Sequence, residues 1–256
     1  GNRISGLTRA GEEVVAIARR MLHDSENIRR VGDEHSKGGK GRLVIATTHI
    51  HARYVLRSVI EKFTKKHLDV SLALRQGTPA QIAQWVAAGE ADLGFSGKPP
   101  VEPPDVVFLA CGELRRSVMV LRDHPLLRKK KKLTLEELAT YPLITLDTSF
   151  TGGWAVMQAF ANAGLTPNVV LSATDADVVK SYVELGLGIA ILPSIACEAE
   201  RDHLIASIDA NHLFPATVTQ IELRRGTYLR SYMIDFISMV YPRWNRESVE
   251  RALASP

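Results

Sequence analysis

The sequence predicts an α/β protein in which two subdomains face a cleft, preceded by one long helix. Three observations carry that expectation. Short apolar runs alternate with segments of helical period from Leu43 to Tyr241. The alternation lasts for roughly 200 residues, long for one sheet and comfortable for two compact units. Residues 8–36 obey a different, heptad-like rule.

The elements follow in order. Thr8 suits an N-cap, and Glu12 and Glu13 suit the positive end of the helix dipole. Val14, Met21 and Ile28 recur every seven residues, with Ile17 and Val31 between them and Asp24 as an interruption. Such a narrow seam cannot bury itself, so pairing with another chain is favoured over folding back. Ser36-Lys37-Gly38-Gly39-Lys40-Gly41 reads as a hinge. Strands are expected at 43–46, 70–74, 93–95, 106–111 and 118–121, with helices over 50–66 and 79–88. Thr78-Pro79 starts the second of these helices, and Thr134-Leu135-Glu136-Glu137 fits a capping box opening a short one. The logic then repeats: strands at 143–146, 169–173, 189–192 and 217–224 alternate with helices at 154–163, 175–185 and 229–241. Subdomain I comprises about 41–111 and 217–242, and subdomain II about 115–214.

Composition narrows the class. Of 256 residues, 45% are hydrophobic and 23% charged, ordinary values for a globular chain. No apolar run approaches the roughly 18 residues of a membrane helix, so no membrane partner is expected. Only Cys111 and Cys197 are present, which excludes a disulfide framework or a four-cysteine zinc site. Two thiols and no secretory signal favour the cytoplasm. The N-terminus lacks Met, which points to a processed product or a fragment. A net charge of +4 is compatible with nucleic acid or small anions.

Open α/β sheets bind ligands beyond the carboxyl ends of their strands. Four loops there look alike: Thr47-Thr48-His49, Gly77-Thr78, Ser149-Phe150-Thr151-Gly152-Gly153 and Thr174-Asp175. Each sets hydroxyls beside a helix N-terminus, where the dipole and unpaired N–H groups attract anions. Capping alone explains any one of them; four in equivalent positions favour a small anionic ligand in the cleft.

Catalytic signatures are weak. Nucleophile elbow, Walker loop and H-E-x-x-H motifs are missing. His49 and His51 would share a face of an extended segment, but nothing nearby completes a metal site. His51 with Asp175 is the best acid/base pair that an enzyme reading offers. The run Arg128-Lys129-Lys130-Lys131-Lys132 reads as a solvated loop rather than a nucleic-acid contact.

Several runs resemble the CysB-like branch of the LysR-type transcriptional regulators. They are Gly6-Leu7-Thr8-Arg9-Ala10-Gly11-Glu12, Ile45-Ala46-Thr47-Thr48-His49 with Ala52-Arg53-Tyr54, and Gln76 through Ala83. Phe150-Thr151-Gly152, Ala173 through Val178 and Leu229-Arg230-Ser231-Tyr232-Met233 complete the set. The resemblance implies two Rossmann-like subdomains of the type II periplasmic-binding-protein kind behind a linker helix. Residues 1–36 would be the end of a wing and the linker/dimerisation helix, and 37–256 the effector-binding domain. It further implies control of sulfur assimilation or sulfonate use, no enzymatic activity, a homodimer or homotetramer, and promoter DNA read by helices preceding residue 3. The effector would be sulfate, thiosulfate, adenylyl sulfate or an acetylserine.

In that branch hydroxyl and amide side chains line the anion pocket. Thr48 and Thr151 match; Ile50 and His51 stand where Thr and Gln are expected, and Gly97 replaces another Thr. Ser149 and Thr174 join the expected site from the loop argument above. His51 would add a donor, or a charge below about pH 6.5, and Gly97 would leave room for a larger metabolite. A solute-binding protein of the same two-lobed architecture is the alternative.

Overall fold

The computed structural model describes residues 6–36 and 41–255. The expected wing remnant before residue 6 and the hinge at 37–40 lie outside the described residues. Helix α1 (Arg9–Ser36) begins where Thr8 Oγ1 accepts the Gly11 N–H at 3.1 Å. Its seam of Val14, Ile17, Met21 and Ile28 is exposed. Asn27 ties the helix to the remainder: its amide donates to Gly226 O, and its carbonyl accepts from Tyr228 N.

The first sheet holds β1 (Gly41–Thr47), β2 (Val70–Gln76), β3 (Leu93–Gly97), β4 (Val106–Leu114) and β10 (Thr217–Arg224), ordered β2-β1-β3-β10-β4. The second holds β5 (Arg116–Leu121), β6 (Leu143–Leu146), β7 (Val169–Ala173), β8 (Ile189–Pro193) and β9 (Ile205–Asp209), ordered β7-β6-β8-β5-β9. In each sheet one strand, β10 or β5, runs against its neighbours. The same order therefore occurs twice, and the chain passes between the lobes at Arg115 and again over 210–216.

Helices cover both faces of each sheet. In lobe I, α2 (Arg57–Lys66), α7 (Ser231–Val240) and α8 (Arg246–Ala254) enclose Leu43, Phe63, Phe95, Phe236 and Val249. Helix α3 (Pro79–Ala87) closes the other face with Ile82 and Val86. In lobe II, α4 (Leu135–Ala139) and α5 (Thr151–Asn162) pack over Phe160 and Phe214, while α6 (Ala176–Glu184) packs over Val179 and Val183. Each such side chain contributes about 1.5–3 kcal/mol by leaving water.

Several local expectations shift. The helix expected over 50–66 is two pieces, a π-helical turn His51–Val55 and then α2. Leu56 N reaches back five residues to His51 O at 2.8 Å, the wider loop of a π turn. Helix α5 starts three residues earlier than its sequence suggests, because Gly153 packs on the carbonyls of Leu146 and Asp147, where a Cβ would collide. Thr134 caps α4, but Glu137 turns to Lys129 instead of closing the box. The loop Arg128–Lys132 is exposed, as a solvated loop should be. Strand β9 and helix α8 carry no sequence signal singled out above.

Glu222 lies fully buried on β10 beneath α3, and burial pushes its carboxyl up to about 8. The Ser96 hydroxyl lies 2.8 Å from Gly97 O and 2.5 Å from Glu222 Oε1, and its one proton can serve only one of them. A protonated Glu222 donating to Ser96 satisfies both. A folded value above the usual carboxylate range gives stability that is complete below about pH 4.5 and lost as pH rises toward about 8. Thermal unfolding should show that loss, about 1 kcal/mol per pH unit within the window. Glu222→Gln should flatten the profile; an unchanged slope would contradict the assignment.

Candidate functional site

Between the lobes lies a cavity of about 40 Å³. Lobe I supplies Thr48, Ile50, His51, Gly97, Leu114 and Thr217; lobe II supplies Arg116, Leu146, Phe150, Thr151 and Gly152. Of the residues expected from sequence, the structure brings together Thr48, Ile50, His51, Gly97 and Thr151. Ser149 and Thr174 are exposed and stand outside.

Capping decides which of the four similar loops can serve. Thr78 spends its hydroxyl in a full capping box with Gln81, and Asp175 accepts the N–H groups of Asp177 and Val178. Those side chains are thereby committed to their own helix starts, taking one N–H of α3 and two of α6. Helix α5 has Phe150 at its N-cap and no side-chain cap, and its first residues line the cavity.

Sequence reasoning missed Arg116, the largest fully buried side chain. It starts β5 directly after the first crossover, and its signal was an arginine pair opening an apolar strand. The guanidinium donates to Pro215 O and to Thr217 Oγ1, both at 2.5 Å, and reaches Gly152 O at 3.5 Å. All three acceptors are neutral. Among the described residues no carboxylate pairs with it. Burial lowers its pKa to about 10, which leaves it charged at neutral pH. An uncompensated buried cation beside a small cavity suits an anion.

His51 is buried too. Its Nδ1 lies 2.6 Å from Thr48 Oγ1, its Nε2 lies 3.3 Å from Thr219 Oγ1, and its ring meets Phe95 edge-on. Burial lowers its pKa to about 4, so it is neutral at physiological pH and adds no charge there, contrary to the expectation of a value near 6.5. Nor does it pair with Asp175. That carboxylate faces His49 Nδ1 at 3.0 Å, because residues 49–55 are helical rather than extended and turn His49 away from His51.

Gly97 leaves no spare room. A Cβ there would sit 2.8 Å from Thr151 Oγ1 and 3.2 Å from Thr217 Cγ2. Thr151 instead donates across the cleft to Lys98 O at 3.0 Å.

His49, Asp175 and Asp177 bring potential ligand atoms within 4.8 Å of one another, the one such metal-like cluster among the described residues. Arg53, Tyr54 and Lys180 also contact Asp177, so cations and a hydroxyl already occupy its oxygens. Cys111 and Cys197 are half-buried, and burial pushes the Cys111 thiol up to about 12. A nuclear magnetic resonance titration should leave the His51 ring neutral from about pH 8 to about pH 5; titration near 6.5 would contradict this packing.

Comparison with known proteins matches this architecture. The LysR substrate binding domain model covers residues 36–244, through both lobes. The chain is 46% identical over 249 residues to the transcriptional regulator SsuR of Burkholderia cenocepacia, covering 97% of this chain and 80% of that protein. It is 45% identical to the regulator CysB of Haemophilus influenzae, covering 98% of this chain and 77% of that one. Among solved structures, the cofactor-binding domain of the Cbl transcriptional regulator superposes with a TM-score of 0.79 at 37% identity, covering 84% of this chain and 95% of that one. These relatives are transcriptional regulators, which favours that reading over a solute-binding protein. With the family model spanning the cleft and both sheets around it, the chain belongs to the LysR substrate-binding-domain family.

Proposed function

We propose that this chain senses a compact sulfur oxyanion, of the sulfate or thiosulfate class, in the cleft of a LysR-type regulator of sulfur assimilation or sulfonate use. One observation carries the anion: Arg116, fully buried and without a carboxylate among the described residues, borders the cavity. The sulfur assignment rests on the likeness to CysB, SsuR and Cbl. The uncapped start of α5 offers N–H groups, and Thr48 and Thr151 border the cavity with hydroxyls that a ligand would have to draw from His51 and Lys98 O.

Size argues for a compact ligand. About 40 Å³ holds a few water-sized groups. Adenylyl sulfate or an acetylserine would require the lobes to part. Ile50 and Leu146 add apolar side chains to the lining, which leaves recognition to its polar groups. Binding biases the lobes by its differential affinity for their arrangements, and α1 carries the change toward promoter DNA in the cytoplasm. No helix among the described residues is long and apolar enough to cross a membrane.

Calorimetric titration with sulfate, thiosulfate, adenylyl sulfate, O-acetylserine and N-acetylserine tests the assignment. A compact oxyanion should bind, and Arg116→Lys, which keeps charge but loses the fork, should weaken it about tenfold or more. Thr48→Ala and Thr151→Ala should weaken it less. Silence across the panel, or binding of the nucleotide alone, would remove this ligand class.

The exposed α1 seam supports a homodimer or homotetramer. Met21→Glu with Ile28→Glu should lower the mass seen by light scattering to that of a smaller assembly. An unchanged mass would exclude α1 as the pairing element.

A further inference from the structure

The segment from Thr48 to Tyr54 has two faces. Thr48, Ile50 and His51 border the cavity. His49, Arg53 and Tyr54 cross instead to the first turn of α6 in lobe II, and all three reach Asp177. The Tyr54 hydroxyl donates to Asp177 Oδ1 at 2.5 Å. His49 Nε2 lies 3.2 Å from Asp177 Oδ2, and Arg53 Nε contacts the same oxygen. Lys180, one turn along α6, approaches Asp177 Oδ1 at 3.2 Å. Asp177 is half-buried, and its pKa is lowered by its bonds to Tyr54, His49 and Lys180 against the opposing effect of burial. Apolar contact backs the polar one, since Ile50 and Tyr54 pack on the lobe II core around Ala176 and Val179.

Accepting the cleft as the effector site, we propose that Asp177 is its positioning residue. It touches no cavity atom, yet it holds the π turn that presents Thr48, Ile50 and His51, and it fastens that turn to the opposite lobe. Effector affinity therefore depends on a carboxylate outside the pocket. The same contact sets how far the lobes part when the ligand leaves. A metal at this carboxylate is disfavoured, because Arg53 and Lys180 supply its counter-charge.

Hydrogen exchange on the whole chain without any ligand is the first test. The Ala52 and Leu56 amides bond to Thr48 O and His51 O within the turn. In Asp177→Asn they should exchange on the order of tenfold faster, while amides of β6 and β8 in the mutated lobe stay protected. Arg53→Gln, on the other lobe, should do the same, and the pair should be non-additive. Sulfate and thiosulfate titrations of the same variants should show weakening of similar size. Unchanged exchange at Ala52 and Leu56, or loss of protection confined to lobe II, overturns the positioning role. If the unmodified chain binds neither anion, the effector reading fails, and exchange still decides the role of Asp177.

Discussion

A guanidinium withdrawn from water with only neutral acceptors carries an effective cost of several kcal/mol, and at Arg116 the fold is organised to bear it. The first crossover delivers Arg116 into the cleft, and the second brings Pro215 O and Thr217 Oγ1 to meet it. Gly152, at the start of α5, adds its carbonyl from lobe II. The cation thus sits where both connections between the lobes converge. A ligand supplying negative charge would offset the desolvation of that cation, and it would do so where both connections between the lobes meet.

Two kinds of contact hold the lobes in register around that point. Near the cavity they are hydrogen bonds to uncharged acceptors: Thr151 to Lys98 O, and the Arg116 guanidinium to Thr217 Oγ1. Farther out they involve charged groups, between residues 49–54 and the start of α6: Arg53 pairs with Asp177, and His49 bonds to Asp175 and Asp177. Partly exposed ion pairs are individually weak and screened by salt. An ion pair and two hydrogen bonds converging on Asp177, backed by Ile50 and Tyr54 on the lobe II core, form a patterned surface rather than a permanent weld.

Much of the fold was legible in the sequence because its signals are local. Thr8, Thr78, Thr134 and Asp175 cap the helices they precede, and the alternating runs became strands in nearly the expected places. The site was legible only in part. Thr48, His51 and Thr151 follow from loop position and resemblance, whereas Arg116 and Thr217 meet across about 100 residues of chain and no local pattern announces them. Ser149 and Thr174 looked equivalent to the others, but whether a hydroxyl near a helix start faces a cleft or solvent depends on packing that spacing does not encode. His51 shows the same limit in its charge, since burial and not residue type sets its protonation.

The interleaving of the lobes bears on biosynthesis. All five strands of the second sheet lie within 116–209, so that lobe can complete its sheet as one uninterrupted stretch of polypeptide. The first sheet cannot. Strand β10, which sits between β3 and β4, is separated from them by the whole of the other lobe. As the chain leaves the ribosome, β1 to β4 must wait with an open edge between β3 and β4 until residues near 224 emerge. That edge is the exposed, aggregation-prone intermediate of this topology.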